Sequence, residues 1–424
     1  MKQWTAKEFI HKVPSLRLED LADREEQVKE IIGQVKENGD QAVREFTLAF
    51  DQQEIDDLKI PEEKMIKAYE NLDDEEKGAL VEAQKRISAF CEKQRQSSWF
   101  DTEDSGSILG QLVLPLDRVG IYVPGGKAPY PSSVLMNALP AKAAGVKEIF
   151  MCTPPRDSGK CDQRVLAAAH LAGVTRVYRI GGVQAIAALA FGTQTIPRVD
   201  KIVGPGNAYV TAAKKMVFGQ VDIDMLAGPS EVMILADKTA DPAWAAADLL
   251  SQAEHDPQSS SLLVTMDRVW GKKVIQQVKE QLSDLRESET AALSIENRGA
   301  VIWADNKDEA LEVINHYAPE HLEIMTADPY AWLGGIRHAG SIFLGPHSPE
   351  PVGDYTAGPN HVLPTGGTAR FFSTLGVDSF IKKSNVIAMS SQGLEDLRKS
   401  TTRLAAMEGF EAHKKAVAIR RERS

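Results

Sequence analysis

The chain has 424 residues, of which 43% are hydrophobic and 26% charged; that is a globular balance in a chain too long for one core, so two major domains with attachments are expected. Lys and Arg number 49 against 60 Asp and Glu, a net charge of -11, which excludes a nucleic-acid backbone as the main partner because neutralising phosphates takes a basic surface. No apolar run approaches the roughly 20 residues that cross a bilayer, and the start MKQWTAKEFIHKV lacks the pattern of a signal peptide, so no membrane partner and a cytoplasmic location are expected.

In chain order, Val28, Ile31, Ile32 and Val35 recur at helical spacing until Asn38-Gly39-Asp40 breaks the run. Ala79, Leu80, Ala83, Ile87 and Phe90 predict a second long helix with charges on its opposite face. The first hundred residues therefore read as helical, and the polar stretch from Asp101 to Ser107 reads as a loop. From residue 117 short apolar strands alternate with helices. Strands are predicted at Val119 to Val123, Glu148 to Cys152, Arg176 to Ile180 and Lys201 to Val203, with an Ala-rich helix near Ser133 to Ala144. A later series holds a strand at Glu231 to Ala236, a helix from Pro242 to His255, and strands at Ser261 to Met266, Ala300 to Ala304 and Ser341 to Leu344. Two βα blocks with parallel sheets result, and the early helices are expected to pack on the later one. After about Phe380 the pattern turns helical again and ends in Arg420-Arg421-Glu422-Arg423, read as a solvated terminus.

Four segments could carry chemistry. Gln252 and His255 are three apart at the end of a helix that Pro257 terminates, so they share a face and could bind one cation; a histidine there could equally serve only as a partner of the helix dipole. Pro319-Glu320-His321 sets a carboxylate beside an imidazole, able to divide base and acid duties if both face a pocket, or mere surface residues if they do not. The run Pro349 to His361, rich in Gly and Pro, reads as a stiff loop at the carboxyl end of a strand, where open α/β sheets place ligands. Asp354 and His361 are its candidates, against the plainer reading of a structural loop with a capping Asp. Met407 to Lys414, with Glu408 and His413, says little by itself. Three glycine turns, at Gly125-Gly126, Gly181-Gly182 and Gly204-Pro205-Gly206, each let backbone amides at a helix start approach a phosphate, although none completes a G-x-G-x-x-G fingerprint. Cys91, Cys152 and Cys161 are odd in number and widely spaced, so buried free thiols of a reducing compartment are expected rather than disulfides or a thiolate metal site.

Taken together, GIYVPGGKAPYPSSVLMNALPAKAAGV, IGGVQAIAALAFGT, VGPGNAYV, AGPSEV, SQAEHDP, APEHLEI, GDYTAGPNHVLPTGGTARF and EGFEAHKKAV resemble the histidinol dehydrogenase family in one order over nearly the whole chain. The resemblance implies oxidation of L-histidinol to L-histidine through an enzyme-held aldehyde, consuming two NAD and one water, as the last step of histidine biosynthesis. It implies zinc held by Gln252, His255 and Asp354, with His413 of the partner subunit as the fourth ligand. Glu320 and His321 match the family's acid–base pair. Ser230 and His361, with Glu408 of the partner subunit, match residues that hold substrate beside the metal ligands. Tyr122, Gln184 and Asn207 match positions lining the NAD site.

The expected fold is α/β, with two Rossmann-like parallel-sheet domains, helical N-terminal and C-terminal extensions, and a C-terminal segment exchanged in a homodimer with shared active sites. In residue terms, 1–20 is an N-terminal extension, 21–120 with 231–376 is the domain of the metal and acid–base residues, 121–230 is the NAD domain, and 377–424 is the helical segment reaching the partner. Nitrogen and oxygen donors without sulfur suit zinc but also manganese or cobalt. Three rival readings stay open: a related dehydrogenase of another amino- or sulfo-alcohol, a metallohydrolase using the same acid–base pair, and a metal-binding scaffold without catalysis.

Overall fold

The computed structural model describes residues 1–17, 21–125, 129–286 and 288–420. Gly126 of the first glycine turn and the tail residues Arg421, Glu422 and Arg423 lie outside them. The chain divides into two compact units, Met1–Gln94 with Asp117–Phe380, and Arg95–Leu116 with Ile381–Ser424.

The larger unit holds two six-stranded sheets. In the first, Arg118–Tyr122 is central, with Glu148–Thr153 and Arg176–Arg179 on one side and Lys201–Val203 and Asp222–Ile223 on the other, all parallel. Lys59–Ile60 adds an antiparallel edge. In the second, Glu231–Ala236 is central, flanked by Ser260–Thr265, Ala300–Trp303 and Lys2–Thr5 on one side and by His321–Met325 and Ser341–Leu344 on the other, all parallel. Apart from the early edge strands Lys59–Ile60 and Lys2–Thr5, each sheet starts in its middle, builds one side, then returns to build the other, which is the doubly wound pattern with a switch point beside the central strand. Its central strands are apolar and buried because helices cover the sheets.

The early helices are placed differently from the expectation. Ala22–Asn38 packs on Gly182–Phe191 and Ala208–Val217, Glu62–Glu70 on Gln163–Ala172, and Asp74–Lys93 on Pro131–Ala144. Val28, Ile31 and Val35 thus share a core with Ile186 and Val210 of the first sheet, not with the strands of 231–344. A helical period fixes which face is buried but not against what. The first residues also join a sheet. Lys2–Thr5 pairs with Ala300–Trp303, and Thr5 with Glu8 forms a capping box that starts the helix Ala6–Lys12.

The smaller unit is an antiparallel sheet of Trp99–Thr102, Ile108–Pro115 and Ile381–Ala388, followed by the helices Ser391–Met407 and Glu411–Ala418. A strand therefore stands where helix was expected after Phe380, and the predicted loop is only the turn of a hairpin. Glu103 N–H bonds to Ser107 C=O at 2.9 Å across it. Among the described residues no helix is long and apolar enough to cross a membrane. Cys91, Cys152 and Cys161 are free thiols.

Candidate active site

The helix Lys307–Tyr317 ends in Ala318 with φ +52, a left-handed conformation unusual for a residue with a Cβ. Pro319 follows, and the chain swings into the strand His321–Met325. Glu320 and His321 therefore stand at the amino end of a parallel strand, beside the first residue of the central one, with Val232 opposite His321. Both side chains are buried.

One residue's main chain holds the pair. The peptide N–H of Glu231 donates to Glu320 Oε2 at 2.8 Å, and its C=O accepts from His321 Nδ1 at 3.0 Å. A carbonyl only accepts, so the proton of that bond sits on Nδ1 and Nε2 is turned to other partners. Nε2 lies 3.7 Å from Glu350 Oε1 and 3.8 Å from Asp354 Oδ1, without a hydrogen bond of its own.

The segment after Ser341–Leu344 supplies those carboxylates, and it is not the loop expected from its glycines and prolines. Glu350–Tyr355 is a short helix, and Glu350 and Asp354 share its face at a spacing of four. Its start is fixed by Glu350 N–H donating to Glu323 Oε1 at 2.7 Å. Since His321 and Glu323 alternate on one face of their strand, the helix lies over both. The segment thus begins at the carboxyl end of Ser341–Leu344, where a ligand was expected, but delivers Asp354 to the amino end of the neighbouring strand.

His361 donates from Nδ1 to the Asp354 C=O at 2.9 Å, and its Nε2 faces Ser133 Oγ at 3.4 Å. Ser133 belongs to the helix Pro131–Ala144 of the first sheet, so the cluster is bounded by both sheets. A cavity of about 770 Å³ opens here, lined in part by Gln94, His321, Phe343, Asp354, Asn360 and His361; ligand sites commonly enclose roughly 300–1,000 Å³.

The helix Pro242–Ala253 starts at Asp241, whose side chain caps Ala243 N–H, and delivers Gln252 in its last turn. Gln252 is buried and its Oε1 has no hydrogen-bond partner. Ser251 Oγ donates to Glu350 Oε2 at 3.5 Å, which ties this helix end to the cluster. His255, two residues past the helix, is exposed.

Electrostatics set these groups apart. Burial opposes a charge on His321, but Glu320, Asp354 and Glu350 around it prevail and push it up to about 10. Burial raises Glu320 to about 8 against the pull of His321, and burial with the nearby Asp354 raises Glu350 to about 8. Asp354 is also buried, yet His321 and His361 hold it down at about 2. Burial keeps His361 below the ordinary imidazole range. The surrounding carboxylates therefore raise the basicity of His321, and the negative charge of the group stays on Asp354.

His321, Glu350 and Asp354 offer ligand atoms within 4.8 Å of one another, a group able to hold a metal ion. Of the expected ligands it contains Asp354, and it adds Glu350, which the sequence reading passed over because a loop has no faces. The helical spacing from Glu350 to Asp354 would have exposed it.

At the carboxyl ends of the first sheet lie the other expected residues. Tyr122, last in its strand, accepts the Gly182 N–H at 3.1 Å, and burial pushes its hydroxyl up to about 12. Gln184 is fully buried with neither amide atom partnered. Asn207 caps Ala208–Val217 by accepting from Tyr209 and Val210 N–H, both at 3.1 Å. Helices begin after three of these strand ends, as anion sites require. Ser230 leads into the central strand of the second sheet, its C=O accepting from Ser260 N–H at 3.0 Å. Glu408 and His413 lie in the smaller unit, where with Leu404, Phe410 and Val417 they line a cleft of about 520 Å³.

A buried carboxyl and imidazole gripped by one peptide, next to polar atoms suited to a cation, are the parts of an α/β enzyme that moves protons on a bound substrate. Comparison with known proteins gives the family. A model of the family described as histidinol dehydrogenase matches residues 16–421, and the chain belongs to that family. The histidinol dehydrogenase of Syntrophotalea carbinolica is 53% identical over 398 residues, covering 93% of this chain and 92% of that one. That of Geobacter sulfurreducens is 53% identical over 399 residues, covering 93% of each. The crystal structure of histidinol dehydrogenase from Elizabethkingia anophelis superposes with a TM-score of 0.93 at 37% identity, covering 99% of this chain and 98% of that one. The chain is thus an oxidoreductase.

Proposed function

We propose that the enzyme oxidises L-histidinol to L-histidine in two NAD-dependent steps with the aldehyde held between them, the last step of histidine biosynthesis. The observation that carries this reading is the Glu320–His321 pair clamped by the Glu231 peptide, with His321 lining a cavity of about 770 Å³ beside Asp354 and His361. Three buried polar atoms, Gln252 Oε1, His321 Nε2 and Glu350 Oε1, lack hydrogen-bond partners, a condition that a bound cation relieves. Gln252, His255 and Asp354, with His413 of the partner subunit, would hold zinc, and Glu350 stands beside them; manganese or cobalt would accept the same donors. When bound, the metal supplies a Lewis acid that anchors the substrate's amine and imidazole, and NAD supplies the hydride acceptor of each step.

The side chains then do the following. His321 takes the hydroxyl proton as the alcohol carbon loses hydride, and Glu350 and Asp354 stabilise the imidazolium that forms. Glu320 takes a proton from water as the water oxygen adds to the aldehyde carbon, and the aldehyde oxygen takes the proton that His321 gained in the first oxidation. The resulting gem-diol has a hydride to give, which the aldehyde does not offer in the same sense, so hydration precedes the second oxidation. His361, protonated at Nδ1, presents Nε2 as an acceptor for the imidazole N–H of the substrate, with Ser230 and Glu408 of the partner subunit completing the grip. Tyr122, Gln184 and Asn207 line the NAD rim, and the unpartnered amide of Gln184 suits a polar ligand there.

The exchange of the C-terminal segment is supported by its surface. Leu404, Met407, Phe410 and Ile419 are all more than half exposed, and the helix Ser391–Met407 buries only Gly393. A helix so poor in buried apolar contacts gains them in a homodimer. The three free thiols suit the reducing cytoplasm. The test is NADH absorbance on mixing enzyme, NAD and histidinol, with two NADH per histidine and loss of both after chelation. Hydrolysis without NADH would instead support metallohydrolase chemistry.

A further inference from the structure

Gly204 follows the strand Lys201–Val203 and opens the turn that reaches Asn207. Its φ is +112, and a Cβ on it would lie 2.1 Å from the carbonyl oxygen of Tyr122, so this backbone passes the NAD rim at a distance only glycine allows. Both polar ends of Gly204 are taken by a single ion pair. Asp224 Oδ2 accepts its N–H at 2.8 Å, and Lys214 Nζ donates to its C=O at 3.0 Å. Lys214 and Asp224 Oδ1 are paired with each other, their side chains only 3% and 1% exposed. Oδ1 also accepts Met225 N–H at 2.7 Å.

Burying such a pair costs desolvation that apolar side chains of the same volume would not incur, so stability alone is a poor account of it. What the charges do here is hold a peptide by charge-assisted bonds from both sides. The pair also joins three parts of the fold. Lys214 rises from the helix that Asn207 caps. Gly204 ends a strand of the first sheet. Asp224 opens the crossover 224–230, which leaves the first sheet at Asp222–Ile223, ends at Ser230 and enters the second sheet at Glu231.

We propose that Lys214 and Asp224 are positioning residues for the dinucleotide, locking the Gly204–Asn207 turn in its binding shape and fixing it to the segment that carries Ser230. This rests on the reading of that rim as the NAD site. Lys214→Met with Asp224→Asn removes both charges together and leaves no lone ion buried. In the full-length protein this double variant should weaken NAD binding by calorimetry at least tenfold. The KM for NAD should rise in parallel, while kcat stays within about threefold and the KM for histidinol within twofold. Lys214→Arg keeps the ion pair, and hence the fold, but moves the donor off the Gly204 carbonyl. It should give a loss of the same sign, three- to tenfold.

Each outcome decides. Unchanged NAD affinity in Lys214→Arg and in the folded double variant would overturn the proposal while leaving the NAD site intact. Equal losses for NAD and histidinol would overturn it too, because they mark general loosening. A wild-type protein that binds no NAD would overturn the reading of the rim, and the proposal with it.

Discussion

Arg17→Met tests the support beneath Glu320 and His321. Arg17 grips Glu231 through Nη2 at 3.0 and 3.1 Å and through Nε at 3.3 Å, and its guanidinium stacks 3.5 Å over the Tyr317 ring. The two side chains are 11% and 6% exposed. Burial drives the Glu231 carboxyl upward and Arg17 draws it back, so without Arg17 an acid stays buried with its cation gone. Breaking a buried pair from one side costs about 3–5 kcal/mol. Arg17→Met with Glu231→Gln removes both charges and should recover all but about 1–2 kcal/mol, the remainder reflecting lost hydrogen bonds and cation–π contact. Urea unfolding at fixed protein concentration measures both values. The folded double variant should also lose kcat, since the peptide holding Glu320 and His321 has lost its anchor. A single variant losing less than about 1 kcal/mol, or a double variant no better than the single, would refute the account of Glu231 as a buried charge held by Arg17.

Glu320→Gln should leave the first oxidation largely intact and slow aldehyde hydration by about 100-fold or more, the usual contribution of a general base. NADH per histidinol would fall from two toward one, and a retained ratio of two at the wild-type rate would remove Glu320 from that role. Glu350→Gln should weaken metal retention on the order of 10–100-fold, as outer ligands commonly do, measured by mass spectrometry of dialysed protein; unchanged content would confine Glu350 to proton chemistry. Asp51 is a partly buried acid whose Oδ2 has no partner, and burial raises it from 3.8 to about 6. A raised acid favours the folded state most below pH 3.8, and that advantage is lost as pH climbs through about 6. Asp51→Asn should therefore stabilise the protein at pH 8, by about 1 kcal/mol once solvent screening is allowed for, and not at pH 4. Equal effects at the two pH values would contradict that sign. Inactive His413→Ala and Asp354→Ala dimers should regain part of the activity after subunit exchange; verified heterodimers without activity would rule out a shared site.

Most of the parallel strands were legible because each of those is a short apolar run between turn residues, and Lys201–Val203 and Glu231–Ala236 fall where the pattern places them, whereas Asp222–Ile223 and the site strand His321–Met325 were not named. Gln252 could be picked out by its spacing from His255 at a helix end. Other parts left no local mark. Lys2–Thr5 is a strand only because Ala300–Trp303 offers it an edge, and Ile381–Ala388 only because Ile108–Pro115 does. Glu231 holds Glu320 and His321 through its peptide, which no side-chain pattern can signal, and Arg17 holds Glu231. Glu350 was hidden by its flanking prolines, which suggested a loop and so removed the helical face it shares with Asp354.

The two sheets use opposite ends of their strands. Tyr122, Gly182 and Gly204 stand at carboxyl ends of the first, whereas Glu231 and His321 are the first residues of their strands in the second. Carboxyl ends feed helix N-termini, whose amides suit a phosphate-bearing ligand. An amino end instead offers unpaired peptide groups at the strand start, and Glu231 spends both of its own on orienting a carboxylate and an imidazole. On the proposed reading the first sheet holds the anion and the second moves protons, and the crossover 224–230 joins them through a single short stretch of chain.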